Sequence, residues 1–153
     1  MTLKQSQLAR LTKMALAARD NAYCPYSNHP VGAAILSDKG NFYAGCNVEN
    51  AHYNCTHAEA SAISAMITAG DRHIKAVVVV GPAMEYLCTP CGDCRQRIRE
   101  LAAPDMMIYS MWKDGTLGSK MTLSELLPVS FGPENMAEVG LGPLTKKKKT
   151  KKK

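Results

Sequence analysis

Hydrophobic positions in the first half of the chain predict a helix followed by a β-hairpin. Leu8 and Leu11 are among the apolar residues that recur at helical spacing over residues 3–19. Residues 31–37 and 41–47 have the composition of strands, and the Asp-Lys-Gly sequence between them is typical of a tight turn. We therefore expect these two strands to pair antiparallel.

Two further helices and two further strands follow. Residues 56–69 are rich in Ala, Met and Ile and precede a glycine, which predicts a second helix. Residues 74–80 include four consecutive valines, which indicate a strand buried on both faces. A third helix is predicted over residues 91–101, because Thr89 and the proline after it suit a helix start. Residues 106–110 are predicted to form another strand.

The last predicted element is a short helix. Thr122 and Glu125 form a capping-box sequence, and Pro128 ends the helix. Alternating strands and helices indicate a layered α/β domain with a sheet of about five strands, which is mixed because the early hairpin is antiparallel. A chain of 153 residues can bury one core without disulfide bonds, and we assign residues 1–136 to a single domain.

The net charge of +6 originates at one end of the sequence. Seven lysines lie between residues 146 and 153, and removing them from the total leaves about −1 for the rest. Adjacent like charges with nothing apolar to bury predict that residues 137–153 form a disordered tail. A nearly neutral body argues against a nucleic-acid partner, although the tail could act as an anion-binding arm.

Nothing in the sequence indicates export or a membrane partner. No apolar run is long enough to span a bilayer, and basic residues interrupt any signal-peptide pattern among the first 20 positions. We therefore expect a cytoplasmic protein whose thiols stay reduced. Of the six cysteines, Cys24, Cys46 and Cys55 are expected to be buried as small hydrophobic residues.

Two segments about thirty residues apart carry the candidate chemistry. The first is His57-Ala58-Glu59, and the second is a Pro-Cys-Gly-Asp-Cys sequence with its thiols at Cys91 and Cys94. One imidazole and two thiolates can hold Zn²⁺ and leave a fourth position for water, as catalytic zinc sites do. Zinc lowers the pKa of that water, and Glu59 is placed to carry protons. The combination is typical of hydrolytic deamination of a nucleobase.

A structural metal site is the alternative interpretation of the same cysteines. Cys88, Cys91 and Cys94 form a Cys-x-x-Cys-x-x-Cys run, which with His57 or Cys55 could close a four-ligand zinc site or hold an iron–sulfur cluster. The nearby glutamate favours the catalytic interpretation. We expect Cys88 to pack beside the site rather than to bind the metal.

In these two segments and in five others the chain resembles the cytidine deaminases of the short, homotetrameric type. The resemblance covers roughly residues 8–136. The matching segments are residues 23–27, 31–34, 45–51, 57–59, 90–96, 125–128 and 130–133. It implies a three-layer α/β/α cytidine-deaminase-like fold, a Zn²⁺ cofactor, and hydrolysis of cytidine and deoxycytidine to the uracil nucleosides in pyrimidine salvage.

The resemblance also assigns roles to residues outside the metal site. Asn47 and Glu49 match positions that hydrogen-bond the sugar hydroxyls, although the sequence alone would equally fit a polar strand end and a turn. We include Ala58 among the substrate-binding residues. Phe131 matches an aromatic residue that approaches the base from a neighbouring subunit, and would otherwise be taken for a core residue. The resemblance therefore implies a homo-oligomer, a tetramer, with shared sites.

Three positions depart from the pattern of the short type. That type usually has a cysteine as first ligand and an arginine after the glutamate, where this chain has His57 and Ala60. The two changes compensate, because three thiolates leave Zn²⁺ with a net negative charge whereas one imidazole and two thiolates sum to zero. A histidine ligand resembles the longer, dimeric branch.

His29 is the third departure, since it replaces a phenylalanine that packs against the base. We assign it to the substrate-binding residues. The segment of residues 50–56 is also slightly shorter than usual. From both features we hypothesise a pocket that tolerates modified cytosines.

Two other functions fit parts of the sequence. A polynucleotide cytosine deaminase could use the lysine-rich tail as its anchor, but two Phe and one Trp offer little base stacking. A non-catalytic, zinc-stabilised interaction module would need the metal ligands but not the glutamate. The leading hypothesis is a zinc-dependent deaminase that acts on a free pyrimidine nucleoside.

Overall fold

A computed structural model describes residues 3–137, so the predicted disordered tail lies outside the described residues except for its first position. A five-stranded sheet occupies the middle of the fold, with helices on both faces. The elements in chain order are α1 (Gln5–Asp20), β1 (Gly32–Ser37), β2 (Phe42–Cys46), β3 (Val48–Glu49), β4 (Cys55–Thr56), α2 (Ala58–Thr68), β5 (Ile74–Val80), α3 (Gly92–Arg99), β6 (Ala102–Met111), β7 (Leu117–Thr122), α4 (Leu123–Leu126) and α5 (Pro133–Ala137).

The sheet is mixed, as the sequence predicted. Its strands lie in the order β2-β1-β5-β6-β7. β1 pairs antiparallel with both β2 and β5, and β7 pairs antiparallel with β6. β5 and β6 are parallel, because α3 crosses from the end of one to the start of the other.

The valines of β5 explain the three layers. Val78 and Val80 belong to the cluster beneath α1, whereas Val77 and Val79 belong to the cluster beneath α2 and α3. Alternate side chains of a strand point to opposite faces, so one apolar run supplies both cores. All four side chains are fully buried, and each burial contributes about 2 kcal/mol. The prediction of a strand buried on both faces is confirmed.

Gly45 sets the position of α2 over the sheet. A Cβ built on this residue would lie 2.4 Å from the backbone nitrogen of Ala62 in α2. Ser61, one residue earlier in the helix, donates a hydrogen bond from its hydroxyl to the carbonyl of Cys46 at 2.9 Å. The helix therefore lies directly on the backbone of β2.

Some boundaries differ from the predictions. Thr89 does not cap α3, because Cys91 is the N-cap residue and its carbonyl accepts the backbone N–H of Arg95 at 2.9 Å. β6 is longer than predicted, and β7, β3, β4 and α5 were not predicted. The capping box of α4 is confirmed, since the Thr122 hydroxyl accepts the backbone N–H of Glu125.

The burial of three cysteines was also predicted wrongly. Cys24, Cys46 and Cys55 are half-buried, because they lie on short or edge strands and loops rather than in the two core clusters. None of the helices within residues 3–137 is both long and apolar enough to cross a bilayer.

Candidate functional site

The two segments singled out in the sequence meet where α2 and α3 begin. His57 is the N-cap residue of α2, Cys91 is the N-cap residue of α3, and Cys94 lies in the first turn of α3. His57 Nδ1 lies 3.2 Å from the Sγ of Cys94 and 3.3 Å from the Sγ of Cys91. In the part of the chain that the structure describes, these three residues are the one cluster able to hold a metal ion, with ligand atoms within 4.8 Å of one another.

The cluster fits Zn²⁺ in composition and size. Tetrahedral zinc binds sulfur at about 2.3 Å and nitrogen at about 2.0 Å, which places neighbouring ligand atoms about 3.6 Å apart. Burial, followed by the neighbouring Glu59 carboxylate, raises the pKa of the Cys94 thiol far above its usual value. A thiolate at this position therefore needs a cation, and three protein ligands leave a tetrahedral zinc ion one open position.

Glu59 lies against this cluster. Its side chain is in the first turn of α2, two residues after His57, and only 4% of it is exposed. The thiol of Cys94 donates a hydrogen bond to Glu59 Oε2 at 3.1 Å. A buried carboxylate in contact with a metal ligand is well placed to transfer protons within the site.

A pocket of about 430 Å³ opens beside the metal ligands. Besides the three ligands and Glu59, its lining includes four of the predicted substrate-binding residues, namely His29, Asn47, Glu49 and Ala58. The volume is in the range of small-molecule sites. The structure therefore brings these residues together within one chain.

Phe131 is not part of this pocket. It is 60% exposed, so the alternative that it is an ordinary core residue is wrong. The amide of Gln96 donates a hydrogen bond to the Phe131 carbonyl at 2.9 Å and attaches this segment to α3. The phenyl ring is left on the surface of the single chain.

Asn47 fixes the loop that leads into β1. Only 7% of this residue is exposed. Its Oδ1 accepts the backbone N–H of Val31 at 2.8 Å, and its Nδ2 donates to the carbonyl of His29 at 3.0 Å. One side chain thus holds two residues of the pocket wall.

Glu49 organises the preceding part of the same loop. Its carboxylate accepts backbone N–H groups of Tyr26 at 3.0 Å and Ser27 at 3.2 Å, and it also accepts the Ser27 hydroxyl. These bonds, above all the one from the Ser27 side chain, lower the pKa of Glu49. The carboxylate is therefore ionised at neutral pH and faces the pocket as an acceptor.

Two cysteines line the pocket without joining the metal cluster. The Sγ of Cys88 lies 4.0 Å from His29 Nε2, and burial raises the pKa of Cys88 to about 11, so it stays a neutral thiol. Cys55 also lines the pocket. Neither belongs to the ligand cluster found among the described residues, which agrees with the expectation that Cys88 packs beside the site.

Sequence reasoning missed the contribution of Ser27 to the site. Ser27 lines the pocket and donates its hydroxyl to Glu49, 22 residues later in the chain. It lies within residues 23–27, one of the segments that carry the family resemblance, but it was assigned no role from the sequence. Only the folded loop shows that Ser27 and Glu49 act together.

Comparisons with known proteins agree with this geometry. Residues 5–110 match the family model for the cytidine and deoxycytidylate deaminase zinc-binding region. A cytidine deaminase from Sporosarcina psychrophila is 40% identical over 121 residues, which cover 78% of this chain and 88% of that protein. One from Halalkalibacterium halodurans is 40% identical over 127 residues, covering 82% of this chain and 95% of that protein. The crystal structure of a cytidine deaminase from Burkholderia pseudomallei superposes with a TM-score of 0.75 at 37% identity, covering 84% of this chain and all of that chain.

Proposed function

The chain belongs to the cytidine deaminase family, and on that basis we propose that it hydrolyses free cytidine and deoxycytidine to the uracil nucleosides and ammonia. The observation that carries this proposal is the buried Glu59 carboxylate, 3.1 Å from the metal ligand Cys94 in a pocket of nucleoside size. Thiol ligands suit a reducing compartment, so we place the reaction in cytoplasmic pyrimidine salvage.

Glu59 performs the proton transfers in the proposed mechanism. A Zn²⁺ ion held by His57, Cys91 and Cys94 would supply a Lewis acid that activates water. Glu59 takes a proton from the attacking water and delivers one to ring nitrogen 3 of the base, while the oxygen adds to carbon 4. Glu59, again a carboxylate, then takes the proton of the hydroxyl now on carbon 4 and delivers it to the amino group, so that the bond from carbon 4 to nitrogen breaks as the carbonyl forms and ammonia leaves.

The burial of Glu59 supports this role. Bulk water has little access to the carboxyl, so a proton taken up in one step is retained for the next. As a thiolate ligand, Cys94 cannot donate the hydrogen bond that it donates as a thiol. The carboxylate is then free to accept a proton from the reacting groups.

Asn47 and Glu49 are proposed to bind the sugar hydroxyls. The carboxylate of Glu49 has about four acceptor positions and uses three of them within the loop, so one is available to a hydroxyl. The amide of Asn47 likewise retains a second N–H beyond the one given to His29. Sites built from such partners discriminate strongly against substrates that lack the hydroxyl.

We propose that His29 widens the range of accepted bases. The residue is exposed at the pocket beside Cys88, and an imidazole is smaller than the phenyl ring usual at this position. The test compares kcat/KM for cytidine with that for 4-amino-substituted and ring-substituted cytidines, in the parent protein and in His29→Phe. We expect His29→Phe to lose activity on the analogues more than on cytidine. Poor turnover of all analogues by the parent protein would contradict the proposal.

We further propose a homotetramer in which Phe131 completes the pocket of a neighbouring subunit. Its exposed ring, and the fully exposed Val129 two residues before it, support such a contact. Mixed oligomers test the idea. Phe131→Ala and Glu59→Gln are each expected to be nearly inactive, whereas co-expression should restore activity at sites that combine an intact Glu59 with an intact Phe131. If mixed oligomers form, as verified by mass, but deaminase activity is not restored, the proposal that neighbouring subunits share their sites is contradicted.

The catalytic domain in this proposal is residues 1–136, and the lysine-rich tail of residues 137–153 takes no part in the reaction. Deamination by the zinc-loaded protein can be followed by ultraviolet absorbance on cytidine, deoxycytidine, cytosine and single-stranded DNA. We expect turnover of the two nucleosides, both with the full chain and with a chain shortened by the tail. Turnover confined to single-stranded DNA, falling steeply with salt, would instead identify a polynucleotide deaminase.

A further inference from the structure

Arg95 connects the second ligand segment to the rest of the fold. Its Nε donates a hydrogen bond to the carbonyl of Pro90 at 2.7 Å, and its Nη1 donates to the carbonyl of Leu126 at 2.9 Å. Pro90 is the buried residue immediately before the ligand Cys91, and Leu126 is the last residue of α4. The guanidinium therefore joins the ligand segment to the end of another helix.

The same residue also holds the other side of Cys91. The backbone N–H of Arg95 donates to the Cys91 carbonyl at 2.9 Å. The two carbonyls that flank the Cys91 backbone, those of Pro90 and of Cys91 itself, are thus both bonded to Arg95. Cys91 is exposed and lies just before α3, so the hydrogen bonds of the helix fix its backbone only in part. The bonds to Arg95 restrict its position further.

We propose that Arg95 is a positioning residue for the metal centre, which holds Cys91 at the distance from His57 that Zn²⁺ requires. It does not touch the metal or the substrate. Its two side-chain bonds point to carbonyls on different elements, and a planar guanidinium can satisfy both at once. A lysine ammonium is a single point charge on a flexible stem and fits this arrangement less well.

Arg99 provides a matched control on the same helix. Like Arg95 it is only partly exposed, with 11% of its side chain accessible to solvent, and it also bonds to a neighbouring segment. Its partners are the Ser130 hydroxyl, at 2.9 Å from Nε, and the Glu134 carboxylate. Arg99 therefore anchors the segment after α4 without contacting a ligand residue.

The test measures zinc release rather than catalysis. Zinc-loaded parent protein, Arg95→Met, Arg95→Lys and Arg99→Met are mixed with a chromogenic chelator, and the rate of zinc loss is recorded. We expect Arg95→Met to release zinc about tenfold faster than the parent, as is common when partners that orient metal ligands are removed. Arg95→Lys should lie between the two, and Arg99→Met should match the parent.

The inference rests on the metal centre of the proposed function, but its readout needs no substrate, so the two can fail independently. Circular dichroism of the zinc-loaded proteins establishes that each variant is folded, and if Arg95→Met does not fold, Arg95→Lys decides the outcome. A parent-like release rate in the folded Arg95 variants would overturn the inference. Equal acceleration in Arg99→Met would also overturn it, because general loosening of α3 would then explain the effect.

Discussion

The close packing of α2 on Gly45 predicts that a single methyl group at this position will impair both stability and catalysis. In Gly45→Ala the new Cβ would lie 2.4 Å from the Ala62 nitrogen and 2.7 Å from the Ser61 carbonyl carbon. Ordinary contacts of this kind begin at 3.4 Å, so relief requires about 1 Å of movement. Both contacts are with helix backbone, which cannot rotate away as a side chain can.

The expected magnitudes follow from this displacement. Overpacking of this kind costs about 2–3 kcal/mol, which lowers the Tm of a domain of this size by about 5–10 °C. Because His57 is the N-cap residue of α2 and Glu59 lies in its first turn, the same movement displaces both a proposed metal ligand and the proposed catalytic carboxylate. A misplacement of about 1 Å can reduce kcat by roughly a hundredfold.

Thermal unfolding and cytidine deamination are measured on the same zinc-loaded sample. The matched control is Gly118→Ala, on the opposite edge strand β7, where the new methyl group meets the end of the Leu87 side chain at 2.3 Å and the Trp112 indole nitrogen at 3.1 Å. Both neighbours are side chains, which can shift where helix backbone cannot, so we expect Tm and kcat close to those of the parent. Parent-like stability of Gly45→Ala would refute the claim that moving α2 away from β2 lowers the free energy of unfolding. Lower stability with full activity would refute the link between helix position and chemistry.

Three further predictions concern other parts of the molecule. Hydrogen bonds from Ser37 and Lys39, among others, lower the pKa of the buried Asp71. A carboxylate with a depressed pKa stabilises the fold above its unfolded pKa of about 4, and it loses that contribution as the pH falls further. When urea unfolding is measured at a series of pH values below about 4, the midpoint of the parent should therefore decrease more steeply with falling pH than the midpoint of Asp71→Asn. In Glu49→Gln the new amide would present N–H groups where Ser27 donates. We expect KM for cytidine to rise by a larger factor than kcat falls. A fall in kcat that exceeds the rise in KM would argue against sugar binding by Glu49. Removal of zinc with a chelator should abolish deamination, and added Zn²⁺ should restore it, whereas activity that survives verified zinc removal would exclude a metal-dependent reaction.

The metal cluster could be predicted from the sequence because its spacing is local. Cys91 and Cys94 are three residues apart at a helix start, and His57 and Glu59 lie together at another. Residues that are this close in sequence stay close in the folded chain, and the structure places all four side chains around one point. The valines of β5 were equally informative, since an unbroken apolar run indicates a strand covered on both sides.

Features that depend on tertiary contacts could not be predicted in this way. β7 is an edge strand of exposed and half-buried residues, so its sequence lacks the alternation that identifies a strand. Thr89 has the residue type of an N-cap, but Cys91 takes that position in the structure. The carbonyl of Pro90, between them, accepts a hydrogen bond from Arg95. The loop contacts of Glu49 join residues more than twenty positions apart and become visible only in the folded chain.

The central claim is that Glu59 performs proton transfer at a zinc centre formed by His57, Cys91 and Cys94. Its most direct test measures bound zinc per chain and ammonia release from cytidine on the same samples of parent protein and Glu59→Gln. We expect the variant to retain the zinc content of the parent while ammonia release falls by about 10²–10⁴-fold, the contribution usual for a general acid–base group. Parent-like ammonia release by Glu59→Gln with zinc bound, or none from the zinc-loaded parent, would contradict the account.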